Sequence, residues 1–176
     1  MAAAALALLR RGETDLSPAT VAVEAGVGLS TVYRRWPTRV DLLREAFTLH
    51  TRTLRVPDTG DFESDIHALA RRLARFFSGP TEVAMSVAMA AHTDPEFNAW
   101  QIEYWEQLAG ELARPVENAI ARGELADDVD AALLIEMLIG PMVTRTAIVK
   151  QRLGRKFASD LADLVIRSAA KASAAE

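Results

Sequence analysis

The chain has 176 residues, half of them apolar, with few aromatics and no cysteine. That composition excludes a disordered chain, disulfides and thiolate metal sites, and leads us to expect a globular protein of the reducing cytoplasm. The net charge of −4 conceals an asymmetry: residues 1–56 carry eight arginines against five acids, net +3, whereas residues 57–176 carry twelve bases against nineteen acids, net −7. A basic first part on an acidic remainder points to contact with a polyanion through the first part only.

Helical signals run nearly end to end, and no stretch alternates with period two for long enough to make a strand. Residues 2–11 predict a short Ala/Leu helix stopped by Gly12. Its positive charge, Arg10 and Arg11, follows the apolar run, opposite to a secretory leader, and the run is too short to cross a bilayer, so no membrane is expected. Ser17 and Pro18 form an N-cap and first-turn pair for a helix ending at Gly26. A second short helix follows from Leu29 to Trp36 and is closed by Pro37. Thr38 then caps a helix to about Leu54, with Asp41 completing a shortened capping box.

Residues 51–61, with Pro57 and Gly60 and no periodicity, suggest a junction, dividing the chain into residues 1–48 and 49–176. Beyond it Ile66, Leu69, Leu73, Phe76 and Phe77 form one apolar stripe ended by Gly79-Pro80. Further helices are expected over about 81–92, from Asp94-Pro95 to about Arg122 with a bend near Pro115, from Asp130 through 149, and from Gly154 to Lys171. An Ala/Ser-rich tail at 169–175 is expected to fray. The fold class is all-α, about nine helices, with a three-helix N-terminal domain and a larger helical domain.

The segment from Ser17 to Phe47 has the parts of a helix-turn-helix: small Ala22 and Ala25 where two helices touch, Gly26 for the turn, Val27 as an apolar plug and Val32 facing inward. Leu29, Ser30, Thr31, Tyr33, Arg34 and Arg35 then point outward. Hydroxyls and free N–H groups at a helix start suit phosphates, and arginine suits phosphate or guanine. The run Ala25-Gly26-Val27-Gly28-Leu29-Ser30-Thr31-Val32-Tyr33-Arg34-Arg35-Trp36-Pro37-Thr38-Arg39 resembles the signature of TetR-type transcriptional regulators, in which a Gly-Val turn leads to a recognition helix ending in Tyr-x-x-aromatic and then a basic residue. The later run Ala121-Arg122-Gly123-Glu124-Leu125-Ala126-Asp127-Asp128-Val129-Asp130 is similar to one subgroup of that family.

The resemblance implies that Ser17, Thr31, Tyr33, Arg35 and Arg39 contact phosphates, that Leu29, Ser30 and Arg34 face base edges, and that Trp36 is a core residue fixing the recognition helix. Leu29 stands where the family often has a polar residue, so an apolar contact with a thymine methyl is expected there. The family's first helix is commonly longer and follows a basic arm, so this chain is expected to begin partway along it. The implied partners are a palindromic double-stranded operator and a small apolar effector. A second copy of the chain would pair through the last two helices, whose residues 131–149 are apolar nearly all round. The helix from Thr38 would belong to both domains and carry the effector's signal to the spacing of the recognition helices.

Phe76, Met85, Met89 and His92, with Trp100, Tyr104 and Trp105 of the long helix, are adaptable apolar or aromatic side chains. Each fits an ordinary core as well as a pocket wall. The resemblance assigns this part of the chain to the effector site. His50, His67 and His92 lack ligand-like spacing, and no nucleophile elbow, zincin or phosphate-loop motif is present, so no metal, cofactor or catalysis is expected. The rival reading is a helical small-molecule-binding protein that does not bind DNA.

Overall fold

The computed structural model describes residues 1–11, 13, 16–91 and 95–173. Among them the chain forms nine α-helices, one π-turn and no strand. Gly12 and Asp94, expected at helix boundaries, lie outside the described residues, as do residues 174–176 of the tail. The helices are α1 (Ala2–Arg10), α2 (Pro18–Ala25), α3 (Leu29–Arg35), α4 (Arg39–Thr51), α5 (Phe62–Phe77), α6 (Pro80–Ala91), α7 (Pro95–Ala121), α8 (Ala131–Val143) and α9 (Arg155–Ser173), with the π-turn at Thr144–Ile148. The all-α class and the number of helices are as the sequence predicts.

Two boundaries differ from the periodicity, and both for a side-chain reason. Helix α4 stops at Thr51 rather than near Leu54. The Thr51 hydroxyl donates to the Phe47 carbonyl at 3.2 Å, and the Thr53 hydroxyl joins its own N–H on the His50 carbonyl, at 2.7 and 3.1 Å, as the last turn tightens. The apolar run 131–149 is α-helical only to Val143. Past it the Thr146 hydroxyl back-bonds to the Met142 carbonyl at 2.9 Å, and the ladder widens into the π-turn. Helix α7 continues through Pro115.

The chain folds into two compact units, Met1–Leu54 with Gly79–Asn98, and Arg55–Ser78 with Ala99–Glu176. In the first, α1 packs on α2, α4 and α6, and α2 on α3. Leu6, Leu8, Leu9, Leu16, Val21, Leu42, Leu43 and Phe47 are buried at its centre. Their removal from water is the main stabilising term, about 1.5–3 kcal/mol for each large side chain. In the second unit the most extensive packing is α5 on α9, with α8 against both. Ile66, Leu69, Leu73 and Phe77 of α5, three to four residues apart, are buried there with Ile135, Leu138, Leu161 and Val165. The run Ala131–Ile148 is long and apolar enough to cross a membrane by composition. It carries Glu136 and Arg145, however, and α8 is packed on α5 and α9 inside this unit.

Candidate nucleic-acid interface

Helix α2 starts where the Ser17 Oγ accepts from the Thr20 N–H at 3.1 Å, leaving Pro18 at a position that needs no donor. It ends at Gly26, whose φ of 65° is left-handed and favours glycine. The turn is closed by Gly26 N–H to the Val23 carbonyl at 3.2 Å and Val27 N–H to the Ala22 carbonyl at 3.0 Å. Ala22 is buried and Val27 half-buried, as the small-contact and plug positions require.

Helix α3 has seven residues, too few to be stable alone, since isolated helices of fewer than about 12–15 residues are marginal in water. Val32, fully buried, and Trp36, 2 % exposed, fix it to the first unit. Leu29 is 44 % and Tyr33 49 % exposed, and Ser30, Arg34 and Arg35 are exposed beside them, while Thr31 is half-buried. An apolar and an aromatic side chain therefore stand in solvent among hydroxyls and guanidinium groups, on a helix whose opposite side is core.

The helix is held at its C-terminal end by Glu45 of α4. Glu45 Oε2 accepts from the Trp36 indole N–H at 2.7 Å, and its Oε1 accepts from Arg35 Nη2 at 2.9 Å. The Arg35 guanidinium hydrogen bond, followed by that of the Trp36 indole, holds the Glu45 carboxyl below the usual carboxylate range. Arg35 also lies over the Trp36 ring at 5.4 Å. Its Nε and Nη2 donate to Glu45, and the Arg35 side chain is 56 % exposed. Behind it, Thr38 and Asp41 form the expected capping box, the Asp41 N–H donating to Thr38 Oγ1 at 3.1 Å and the Thr38 N–H to Asp41 Oδ2 at 3.0 Å. Arg39, half-buried, is the first residue of α4.

Sequence reasoning misses Glu45, because nothing in its spacing from Arg35 and Trp36 marks a contact across a turn. The same holds for Glu24, which takes both Nη1 and Nη2 of Arg11 at 3.0 and 2.7 Å and ties the end of α1 to α2. Two further ion pairs join α4 to the Gly79–Asn98 segment of its own unit: His50 Nε2 to Glu82 at 3.1 Å, mostly buried, and Arg44 to Glu96 at 3.7 Å.

Residues 56–165 match the family model described as the tetracyclin repressor-like C-terminal domain. The chain belongs to the TetR family of transcriptional regulators. It is 30 % identical over 131 residues to the HTH-type transcriptional regulator AqdR of Rhodococcus erythropolis, a match covering 73 % of this chain and 63 % of that protein. It is 25 % identical over 172 residues to the uncharacterized HTH-type regulator YdeS of Bacillus subtilis, covering 96 % of this chain and 87 % of the relative. The crystal structure of the TetR-family transcription regulator SCO0332 superposes with a TM-score of 0.73 at 28 % identity, covering 92 % of each chain.

The second group of candidate residues falls within the matched residues 56–165. Trp100, 9 % exposed, and Tyr104 stack one turn apart on α7, ring centroids 5.2 Å apart and planes tilted by 34°. Phe76 meets Phe77 edge to face at 5.6 Å, and Trp105 is half-buried. These five belong to the second unit and the fully buried Met85 to the first. His92 and the side chain of Met89 lie outside the described residues.

Proposed function

We propose that this TetR-family chain is a cytoplasmic repressor that binds a palindromic operator duplex as a homodimer and releases it on taking up a small apolar effector. The observation that carries the reading is the division of α3: Val32 and Trp36 buried, and Leu29, Ser30, Tyr33 and Arg34 facing water. In this reading α3 enters the major groove. Leu29, Ser30 and Arg34 meet base edges, and Ser17, Thr31, Tyr33, Arg35 and Arg39 meet phosphates. Residues 1–48 read the duplex and residues 49–176 sense and dimerise.

Dimerisation is supported by apolar side chains left in solvent on the last two helices and the π-turn. Leu133, Met137, Ile148, Val149 and Leu164 are all exposed. Two copies place their recognition helices about 34–36 Å apart, one turn of duplex. The effector-contacting residues of the second unit are Phe76, Trp100, Tyr104 and Trp105. Helix α4 is the transmitting element, since it holds α3 through Glu45 and α6 through the His50–Glu82 pair. The effector acts by its different affinity for the two arrangements.

The test is selection of duplexes from a random library, followed by a salt titration on the selected sequence. The expected outcome is a palindrome bound by a dimer, with affinity falling steeply in salt. Arg39→Ala, which removes one cation from a phosphate, lowers the slope of log K against log salt by about 0.9. Ligand binding with no enriched duplex would replace this reading by that of a helical ligand-binding protein.

A further inference from the structure

Helix α5 carries its charge in two blocks. Asp61, Glu63 and Asp65 stand at its start and Arg71, Arg72 and Arg75 in its second half, with no acid from residue 66 to residue 81. The helix dipole accounts for the acids and for Arg75, which lies in the last turn, but not for Arg71 and Arg72 further in. Like charges at this spacing oppose folding. Elsewhere the chain pairs its arginines with carboxylates: Arg11 with Glu24, Arg35 with Glu45 and Arg122 with Glu124. Arg71, Arg72 and Arg75 make no ion pair among the described residues.

Of the three, Arg72 is half-buried and the other two are exposed. Its Nη1 donates to the Arg55 carbonyl at 2.7 Å, which brings a fourth arginine, itself exposed, beside it. A carbonyl dipole does not neutralise a cation. A guanidinium taken partly out of water therefore gains from an anion that accepts from its other N–H groups. One turn on, Phe76 is half-buried on the same stripe of α5, since side chains four residues apart on a helix are neighbours. Its ring packs edge to face on that of Phe77, a core residue. A cation and an aromatic surface thus stand side by side at the margin of the core, both within the second unit.

We propose that the effector is an organic acid. Its apolar body rests on Phe76, and its anionic oxygen group, a carboxylate, sulfonate or phosphate, is taken by Arg72. Arg55, Arg71 and Arg75 add the positive field that draws the anion in. The inference rests on the effector site proposed above, to which Phe76 belongs, and adds the charge of what enters it. An apolar wall alone accepts any hydrophobic molecule of fitting size. The arginine discriminates, because a neutral analogue leaves it without a counter-ion.

The test uses the full chain and two fluorescent probes that share one aromatic body, anilinonaphthalene sulfonate and its uncharged counterpart phenylnaphthylamine. The natural chain should bind the sulfonate more tightly, with an affinity that falls as salt is added, while that of the neutral probe does not. Arg72→Gln, whose amide can still donate to the Arg55 carbonyl, should weaken the sulfonate about tenfold or more and leave the neutral probe within about twofold. The neutral probe thereby reports that the site is intact. Phe76→Ala should weaken both. An unchanged sulfonate affinity in Arg72→Gln, or equal weakening of the two probes, overturns the acidic effector and leaves the site standing. So does a neutral probe bound as tightly as the sulfonate by the natural chain. Two probes indifferent to Phe76→Ala overturn the site at Phe76, and the inference with it.

Discussion

The indole N–H of Trp36 donates to Oε2 of Glu45 at 2.7 Å, across the turn that joins α3 to α4. The ring is buried, so its one polar atom needs a partner inside the protein, and α4 supplies it from beyond the capping box that starts the helix. Glu45→Ala leaves that donor unsatisfied at a cost of about 1–3 kcal/mol. Thermal or urea unfolding should show the loss, and Glu45→Gln, which keeps an acceptor for the indole, should lose less. Duplex affinity should fall in the same order.

The same carboxylate sets a pH dependence. Glu45 is held below the usual range first by the Arg35 hydrogen bond and then by Trp36. A carboxyl depressed in the folded state contributes its full stability above its unfolded pKa and loses it as pH falls through the folded one. Unfolding free energy should therefore decline as pH falls below about 5 more steeply for the natural chain than for Glu45→Gln. Parallel curves would remove Glu45 from the acid-labile set.

Much of this region could be read from the residues alone, because the relevant interactions are local. Ser17, Gly26, Thr38 and Asp41 act within four residues of themselves, and their geometry is as predicted. Val32 and Trp36 follow from helical spacing and from the resemblance. What could not be read is long-range pairing. Glu45 reaches nine and ten residues back, Glu24 thirteen, and Glu82 meets His50 across thirty-two. One sequence carries no trace of such partners, since glutamates on amphipathic helices look alike whether they face water or an arginine. The early stop of α4 was legible in principle: Thr51 and Thr53 are residues whose hydroxyls compete for the helix's last carbonyls.

Tyr33 and Arg34 stand in solvent, and neither contributes to the core. Tyr33→Phe should weaken operator binding with no change in melting temperature, measured by fluorescence anisotropy and calorimetry on the same preparation. Arg34→Ala should cost about 1–3 kcal/mol on the selected operator and relax the base preference at one position of each half-site. Equal weakening on all sequences would make Arg34 a phosphate contact instead.

Gly26 offers a cleaner stability test. A Cβ there meets nothing within 4 Å, yet φ is 65°. Gly26→Ala should therefore cost only backbone strain, about 1–2 kcal/mol, visible as a lower denaturation midpoint with an unchanged denaturant slope.

The seven residues of α3 touch the rest of the molecule chiefly through Val32 at its middle and Trp36 just past its end. Positions 29, 30, 33 and 34 can thus be rewritten without disturbing what holds the helix, so in the proposed DNA-reading role α3 is an interchangeable insert in a fixed socket. A lineage could retarget such a protein by a handful of substitutions at those positions, leaving its sensing part untouched, and an engineer could graft a relative's reading face by the same route.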